Sequence, residues 1–161
     1  MSHQEITIHY NIYERRSSLP ASDVLLLQKA EVASKSAYAP YSNFKVGVAI
    51  QTTEGEIITG SNQENGAFPI GQCAERVALY RMVHDHGRKP IDRIAIVVDN
   101  ENQLTPASPC GSCRQILNEY RSQQENKISL LLGVTGDEIV YEINDVKDLL
   151  PFAFDGSFLG Q

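Results

Sequence analysis

The sequence contains no tryptophan, only two methionines and only three cysteines among its 161 residues. Three cysteines cannot all be paired in disulfides within one chain, because one of them always remains free. Reduced thiolates that bind a metal ion in the cytosol fit this number better than a disulfide framework does. The scarcity of cysteine therefore predicts a cytoplasmic protein.

Long apolar runs and a basic charge balance are also missing. No stretch approaches the roughly 18 consecutive apolar residues of a membrane-spanning helix. The segment from Met1 to Glu5 has neither the basic nor the apolar part of a secretory signal. The formal net charge is -6 and the isoelectric point is about 5.2. Because proteins that bind phosphate backbones usually present a basic face, we expect neither a nucleic-acid partner nor a membrane partner.

What the chain does contain is typical of one globular domain. Apolar residues make up 42% of the sequence and charged residues 21%, which is enough to build a core at this length. Apolar and polar residues alternate from Ile6 to Ile12, so residues 1–20 are predicted to form an N-terminal arm or a peripheral strand. Residues 21–161 are predicted to form the main domain.

Hydrophobic periodicity predicts three long helices, a short last helix and five strands. Helices alternate with two strands that are apolar on both faces in the middle of the chain, and hairpins lie toward both ends. This order predicts a three-layer α/β/α domain with a mixed five-stranded sheet. The helices are expected at 22–38, 73–86, 110–120 and 144–150, and the strands at 44–53, 56–59, 91–98, 128–134 and 138–143.

Three local features refine this prediction. Ser22 is expected to be the N-cap of the first helix. Val77 and Tyr80 are expected on the buried side of the second helix. The Gly136-Asp137 pair leaves room for only a tight hairpin, so the last strand is expected to run antiparallel to the one before it.

The three cysteines predict a zinc site. Cys73 and Cys110 each open a predicted helix, and Cys113 lies one turn after Cys110, so the sulfurs of this pair face the same side. Helix N-termini carry partial positive charge, which favours thiolate over thiol. Three thiolates leave one tetrahedral position of Zn²⁺ for water, which is typical of a catalytic site rather than a closed structural one.

Glu75 and Arg76 follow Cys73 closely and are predicted to assist the metal. Lowering the pKa of water from about 15.7 to about 7 is worth on the order of 12 kcal/mol, whereas a positioned carboxylate alone contributes about 3–5 kcal/mol. We therefore expect the zinc to generate the nucleophile and Glu75 to carry protons. Arg76 is expected to donate hydrogen bonds to a cysteine sulfur and so withdraw negative charge from the metal.

Five motifs follow one another between about Tyr38 and Phe154. They are Ala39-Pro40-Tyr41-Ser42-Asn43-Phe44-Lys45-Val46-Gly47, Asn62-Gln63-Glu64-Asn65, Cys73-Ala74-Glu75-Arg76, Pro109-Cys110-Gly111-Ser112-Cys113-Arg114-Gln115, and Leu149-Leu150-Pro151 with Phe154. In these motifs the chain resembles the small, homotetrameric cytidine deaminases, whose wider zinc signature pairs a Cys-x-Glu group with a Cys-x-x-Cys group. Gly66 and Phe68 depart from the alanine and tyrosine that are usual in that family.

The resemblance implies a role for each of five further positions. Phe44 would pack against the pyrimidine, and Ala74 would offer its backbone amide to the base. Asn62 and Glu64 would hold the ribose 3′-hydroxyl. Phe154 would be lent to the site by a neighbouring subunit, which implies a homotetramer.

The resemblance also implies the reaction. Residues 21–161 would be the catalytic domain, and Glu75 would be the catalytic residue. The expected activity is hydrolytic deamination of the small molecules cytidine and 2′-deoxycytidine to uridine and 2′-deoxyuridine plus ammonia, in pyrimidine salvage.

Other interpretations of the cysteines remain open. Cys110 and Cys113 have the spacing of a thioredoxin-type redox pair, although this leaves Cys73 without a role. A structural zinc site could recruit His84 or His86, although both lie at the far end of the helix that Cys73 opens. A zinc-stabilised binding module is the non-enzymatic alternative, and it gives the neighbouring glutamate no role.

The substrate contacts have alternatives as well. Phe44 and Phe154 could be plain core residues, and Asn62 and Glu64 could cap a loop. Polynucleotide-editing deaminases commonly place a helix between their last two core strands, so the tight hairpin predicted here favours a free nucleoside. A deaminase of cytosine-nucleoside antibiotics is a closer alternative, which the sequence excludes less firmly.

Overall fold

A computed structural model describes residues 1–160 of the chain. Within these residues one mixed sheet of six strands carries three α-helices, so the predicted α/β fold is confirmed and the predicted number of five strands is wrong. The elements are β1 (Tyr10–Tyr13), α1 (Ala21–Ser34), β2 (Lys45–Thr52), β3 (Ile57–Ser61), α2 (Ala74–His86), β4 (Ile91–Asp99), α3 (Gly111–Ser122), β5 (Ser129–Val134) and β6 (Val140–Ile143).

The sheet has the strand order β1-β6-β5-β4-β2-β3. Only β4 and β5 are parallel, with Ile94 opposite Leu130, and every other neighbouring pair is antiparallel. Gly136 turns the chain between β5 and β6 with a φ of 75°, a left-handed conformation that favours glycine. The predicted antiparallel last strand is therefore confirmed.

The helices lie on both faces of the sheet. α1 packs on one face, where Leu26, Leu27 and Ala30 are fully buried against inward residues of the central strands. α2 and α3 pack on the other face through residues such as Met82 and Leu117. Successive residues of a strand point to opposite faces, so the apolar residues of β4 and β5 contribute to both cores at once. The result is the predicted three-layer arrangement.

The sixth strand comes from the N-terminal segment. β1 pairs antiparallel with β6, and Tyr13 Oη and Asn11 Nδ2 donate to the same carboxylate oxygen of Glu142 at 2.9 and 3.0 Å. The other oxygen of Glu142 lies 3.7 Å from Nη1 of Arg93, which also pairs with the buried Asp23 of α1. A charged network that joins β1, β6, β4 and α1 therefore fastens the added strand.

α1 does not begin and end where the sequence predicts. Pro20 is its N-cap, and Ser22 lies inside the first turn. The ring of Pro20 holds its φ at -54°, close to the helical value, so the chain enters the helix preorganised. The helix ends at Ser34 rather than at Tyr38, since the Ser34 hydroxyl donates to the carbonyl of Glu31 at 2.8 Å and competes with the helical pattern.

The buried face of α2 also differs from the prediction. Tyr80 is 54% exposed and Val77 is only half-buried, because small residues one step round the helix allow a closer approach to the sheet. A Cβ atom at Gly60 of β3 would lie only 2.5 Å from the backbone nitrogen of Ala78. The buried residues of α2 are Ala74, Glu75, Ala78, Leu79 and Met82.

The predicted last helix is shorter than expected. A 3₁₀ turn at Val146–Leu149 replaces it, and the Asp145 side chain caps this turn by accepting from the Lys147 amide. None of the helices within residues 1–160 combines the length and the apolar character needed to cross a membrane.

Candidate metal and catalytic site

Two helix N-termini bring the three cysteines together. Cys73 is the N-cap of α2, Cys110 is the N-cap of α3, and Cys113 lies in the first turn of α3. All three sulfurs lie within 4.8 Å of one another, and the Sγ atoms of Cys73 and Cys110 are 3.8 Å apart. Both helices pack into the same core on one face of the sheet, which places their N-termini near each other.

This geometry fits a zinc ion. Sulfurs that lie about 2.3 Å from a tetrahedral Zn²⁺ are about 3.8 Å apart, which is the separation of the Cys73 and Cys110 sulfurs. No disulfide joins the cysteines, and all three thiols are free. The cluster contains no histidine among residues 1–160. Nδ1 of His86 instead lies 3.3 Å from a carboxylate oxygen of Glu56, which argues against a structural Cys₃His site.

The three thiols differ in acidity. Hydrogen bonds from Cys113, Arg76 and Cys110 lower the pKa of Cys73 to about 5. The pKa of Cys113 is raised, first by its hydrogen bond to the Cys73 sulfur and then by burial. One thiolate therefore forms easily, and a bound cation is needed to hold three of them in so small a space.

Arg76 lies beside the sulfurs. Its Nη2 atom is 3.8 Å from Sγ of Cys73, and the same nitrogen donates to the carbonyl of Gly71 at 3.4 Å. The hydrogen bond and the charge of Cys73 raise the pKa of the guanidinium further, so Arg76 stays cationic. The side chain is thus in contact with a sulfur of the cluster, where it can withdraw negative charge.

Glu75 is buried next to the cluster. Only 6% of the residue is exposed, and it lies in the first turn of α2 directly after Cys73 and Ala74. Burial raises the pKa of the Glu75 carboxyl, and the negative charge of Cys73 raises it further. A carboxyl group whose pKa lies above its usual range can hold a proton and release it again, as a general acid–base requires.

A cavity of about 210 Å³ opens at this point. Phe44 and Asn62 line it together with Cys73, Ala74 and Glu75. It is mainly apolar, with a few polar groups that converge on one side, as expected for a site that binds a flat aromatic ring. The remaining lining residues are Val46, Ile96, Val98, Ala107, Ser108 and Cys110.

Asn62 lines both this cavity and a wider groove of about 640 Å³ next to it, whereas Glu64 lines the groove only; we refer to these two residues as the rim. The Asn62 amide accepts from the Val46 nitrogen at 2.8 Å and donates to the Phe44 carbonyl at 2.9 Å. The Glu64 carboxylate accepts from the Tyr41 amide at 2.9 Å and from the hydroxyl of the next residue. Both side chains therefore brace nearby backbone, Asn62 at the cavity and Glu64 in the groove beside it.

Phe154 is not brought into this cavity. Its ring is 56% exposed and stacks on Phe158, with ring centroids 5.4 Å apart and planes 13° from parallel. Its carbonyl oxygen accepts from Nε2 of Gln115 at 2.8 Å. The segment is attached to α3, and its aromatic rings face outward.

Several cavity residues have no place in the sequence-based prediction. Ile96 and Val98 lie two positions apart on β4, so strand periodicity could have placed them on one face together. Ala107 and Ser108 lie in an irregular loop and carry no local signal in the sequence. They reach the cavity only because the chain folds back before α3.

Comparisons with known proteins agree with this geometry. The family described as "Cytidine and deoxycytidylate deaminase zinc-binding region" matches residues 20–126. The cytidine deaminase of Halalkalibacterium halodurans is 38% identical over 130 residues, which are 81% of this chain and 92% of that protein. The cytidine deaminase of Sporosarcina psychrophila is 38% identical over 80% of this chain and 88% of its own length.

Solved structures give the same result. The crystal structure of cytidine deaminase from Burkholderia pseudomallei has a TM-score of 0.70 and 36% identity, covering 81% of this chain and 97% of that chain. The enzyme from Mycobacterium tuberculosis has a TM-score of 0.62 and 30% identity over 81% of this chain and 94% of its own. The family match spans most of the chain, and the three cysteines lie close enough together to hold one metal ion, so the chain belongs to the zinc-dependent cytidine deaminase family.

Proposed function

We propose that the chain hydrolyses cytidine and 2′-deoxycytidine to uridine and 2′-deoxyuridine with release of ammonia. One observation carries this proposal: the buried Glu75 carboxyl and the cysteines at both helix N-termini border the same small apolar cavity. A zinc ion held by Cys73, Cys110 and Cys113 would supply a water molecule of lowered pKa there.

In this proposal Glu75 moves the protons. Its carboxylate accepts a proton from the attacking water and delivers it to N3 of the base, which makes C4 electrophilic. After the hydroxyl adds to C4, Glu75 takes the remaining proton from that hydroxyl and passes it to N4. The C4–N4 bond then breaks, ammonia leaves and the C4 carbonyl forms. One water is consumed and one ammonia is released, so Glu75 ends in its starting state.

The cavity supports pyrimidine binding. The Phe44 ring and the apolar side chains of β4 would hold the faces of the base, and the Ala74 backbone amide would bind its polar edge. Asn62 and Glu64 on the rim would bind the ribose 3′-hydroxyl. Nothing in these contacts would require a 2′-hydroxyl, which supports both nucleosides as substrates.

A homotetramer is part of the proposal. The exposed Phe154 ring lies outside its own cavity, as expected if a neighbouring subunit receives it. Tyr80 and Phe68, which are 54% and 73% exposed, supply further apolar surface that association would bury. A reducing compartment keeps three free thiols available for metal, so the proposed location is the cytoplasm and the proposed role is pyrimidine salvage.

An ultraviolet assay on the purified zinc-loaded chain tests the reaction. Cytidine and 2′-deoxycytidine should be converted, whereas cytosine and a cytosine-containing oligonucleotide should not. Glu75→Gln should keep zinc and the fold and lose nearly all turnover. Normal turnover by Glu75→Gln, or conversion of the oligonucleotide alone, would contradict the proposal.

Subunit mixing tests the shared site. Phe154→Ala removes the lent ring, and Glu75→Gln removes the proton carrier, so each homotetramer should be nearly inactive. Mixed tetramers would contain sites with an intact Glu75 and a partner's intact Phe154, so mixing under exchange conditions should restore part of the activity. If Phe154 acts within its own subunit, mixed tetramers should regain no more than the two parents add together.

A further inference from the structure

The second half of the loop before α3 makes few hydrogen bonds of its own: the bonds within the loop lie between residues 100 and 105. No helix or strand covers residues 100–110, yet this loop forms one wall of the cavity and ends at the metal-binding Cys110. Within residues 107–110, three groups accept a hydrogen bond in the described part of the chain: the Ser108 hydroxyl and the carbonyls of Pro109 and Cys110. Arg114 is the donor in each case. The side-chain hydrogen bonds to this wall therefore come from one residue, in addition to the packing of the buried Pro106 and Pro109.

Arg114 makes three side-chain hydrogen bonds at once. Its Nε donates to the Pro109 carbonyl at 2.8 Å, and its Nη2 donates to the Ser108 hydroxyl at 3.0 Å. Its Nη1 donates to the Leu149 carbonyl at 3.2 Å, at the end of the 3₁₀ turn before the C-terminal segment. Its backbone amide also donates to the Cys110 carbonyl at 3.0 Å.

The shape of the guanidinium group suits this arrangement. Its donors point in fixed, divergent directions in one plane, so a single side chain can reach acceptors on two separate segments. A lysine ammonium carries the same charge but cannot hold these three acceptors at their present positions. The acceptors are neutral, and no carboxylate partner of Arg114 is present among the described residues.

We propose that Arg114 is a positioning residue for the reaction, which acts by holding Ser108, Pro109 and the attached Cys110 against the C-terminal segment. This inference rests on the proposed function for its catalytic consequence, but not for its structural one. Arg114 keeps the Cys110 sulfur in place for zinc and keeps the cavity wall closed around the base. It touches neither the substrate nor the metal itself.

The position of the C-terminal segment follows from the same bonds. Arg114 binds Leu149, and the adjacent Gln115 binds the carbonyl of Phe154. These two neighbouring side chains of α3 therefore hold both ends of the chain between residues 149 and 154. Movement of the Cys110 loop and movement of the lent aromatic ring are coupled through one turn of helix.

The test compares Arg114→Lys with Arg114→Ala on the full-length, zinc-loaded protein. Zinc release into a chromophoric chelator is measured without substrate, so this readout is independent of whether the chain deaminates cytidine. Loss of outer partners of a metal ligand typically lowers metal affinity about 10–100-fold, and we expect release to accelerate by at least about 10-fold in both variants. For deamination, KM should rise more than kcat falls, because the cavity wall loosens while Glu75 is unchanged.

Two further variants separate the alternatives. Arg81→Lys changes an exposed arginine on α2 and should release zinc like the parent protein. Gln115→Ala removes only the bond to Phe154, so it should raise KM without accelerating zinc release. If Arg114→Ala fails to fold, Arg114→Lys and Ser108→Ala still remove part of the bonding. A zinc-release rate and a KM equal to those of the parent in folded Arg114→Lys would show that a positive charge alone is enough. That result would overturn the proposal.

Discussion

The Nη2 atom of Arg76 lies 3.8 Å from the Sγ atom of Cys73, at the N-terminus of the same helix. A cationic donor therefore lies beside one of the three sulfurs that are proposed to bind zinc. Three thiolates on Zn²⁺ leave a net charge of -1, which weakens the power of the ion to acidify water. The contact gives the chain a way to offset that excess.

The first prediction concerns Arg76→Ala. Hydrogen bonds from Cys113 and from Arg76 both lower the pKa of Cys73 to about 5, so the variant should have a higher Cys73 pKa in the metal-free state. The rate of alkylation by iodoacetamide, followed against pH, reports this pKa. The variant should also retain zinc less well and turn over more slowly.

Arg76→Lys is the matched control because it keeps the positive charge but loses the planar guanidinium group and its several N–H donors. It should fall between the parent and Arg76→Ala. An unchanged alkylation profile together with an unchanged kcat at full zinc occupancy would remove Arg76 from the mechanism.

A second prediction concerns the sugar. Hydrogen bonds from the Ser42 side chain and the Tyr41 amide lower the pKa of Glu64, which keeps it ionised and acceptor-only at neutral pH. A hydrogen bond to a charged group is worth about 1.5–3 kcal/mol, so Glu64→Ala should raise KM for cytidine about 10-fold or more. For 3′-deoxycytidine, the parent and the variant should have the same KM.

Glu54→Ala removes an exposed carboxylate far from the cavity and serves as the control. An equal rise in KM for both nucleosides in Glu64→Ala would instead favour the capping role, in which the carboxylate only braces the backbone near residue 41.

A third prediction follows from the close approach of α2 to β3. Gly60→Ala would place a Cβ atom 2.5 Å from the Ala78 nitrogen, so the helix that carries Cys73 and Glu75 must move. Such overpacking typically costs about 1–3 kcal/mol of unfolding free energy. Gly111→Ala, where a Cβ atom would meet nothing within 4 Å, is the steric control. Urea unfolding should show a lower midpoint for Gly60→Ala only, and coincident midpoints would contradict this account.

The fourth prediction concerns the attachment of β1. The hydrogen bond to Glu142 raises the pKa of Tyr13 above its ordinary value of 10.0. The neutral phenol therefore stabilises the fold below about pH 10, and this contribution is lost as the pH rises through the raised pKa of the folded state. Tyr13→Phe should lower the unfolding free energy by about 1 kcal/mol at pH 7.

The pH dependence is measured by urea unfolding between pH 7 and pH 11. The difference between the parent and Tyr13→Phe should shrink as the pH rises above about 10, because only the parent loses this bond. Tyr38→Phe changes an exposed tyrosine and should show no such trend. A constant difference in unfolding free energy across this pH range would mean that the hydrogen bond donated by the Tyr13 hydroxyl does not stabilise the fold.

The cysteine cluster could be predicted from the sequence because the ligands of one metal ion often lie only a few residues apart in the chain. Cys110 and Cys113 are one helical turn apart, and Glu75 follows Cys73 so closely that one helix start must present both. The tight turn at Gly136 likewise determined the direction of β6. These features depend on neighbours in the chain, which a sequence displays directly.

Other features depend on partners that are distant in the sequence. The alternation before Tyr13 indicates a strand but not that it pairs with β6, because the bond to Glu142 spans 129 positions. α2 carries two apolar stripes, and the glycine opposite Ala78 selects which one is buried. The role of Arg114 is hidden because its acceptors are mainly backbone carbonyls, which every residue possesses.

The sulfur cluster joins two helices whose cysteines are 37 positions apart, while the helices themselves share little contact surface. Each helix packs against the sheet, but at the first turns of the two helices a shared metal ion would be the main link between them. Stripping the metal should therefore leave the strands protected from amide hydrogen exchange and expose the first turns of α2 and α3 to it. The metal-free protein would then keep its sheet and its cores, and only the two helix N-termini would lose their connection.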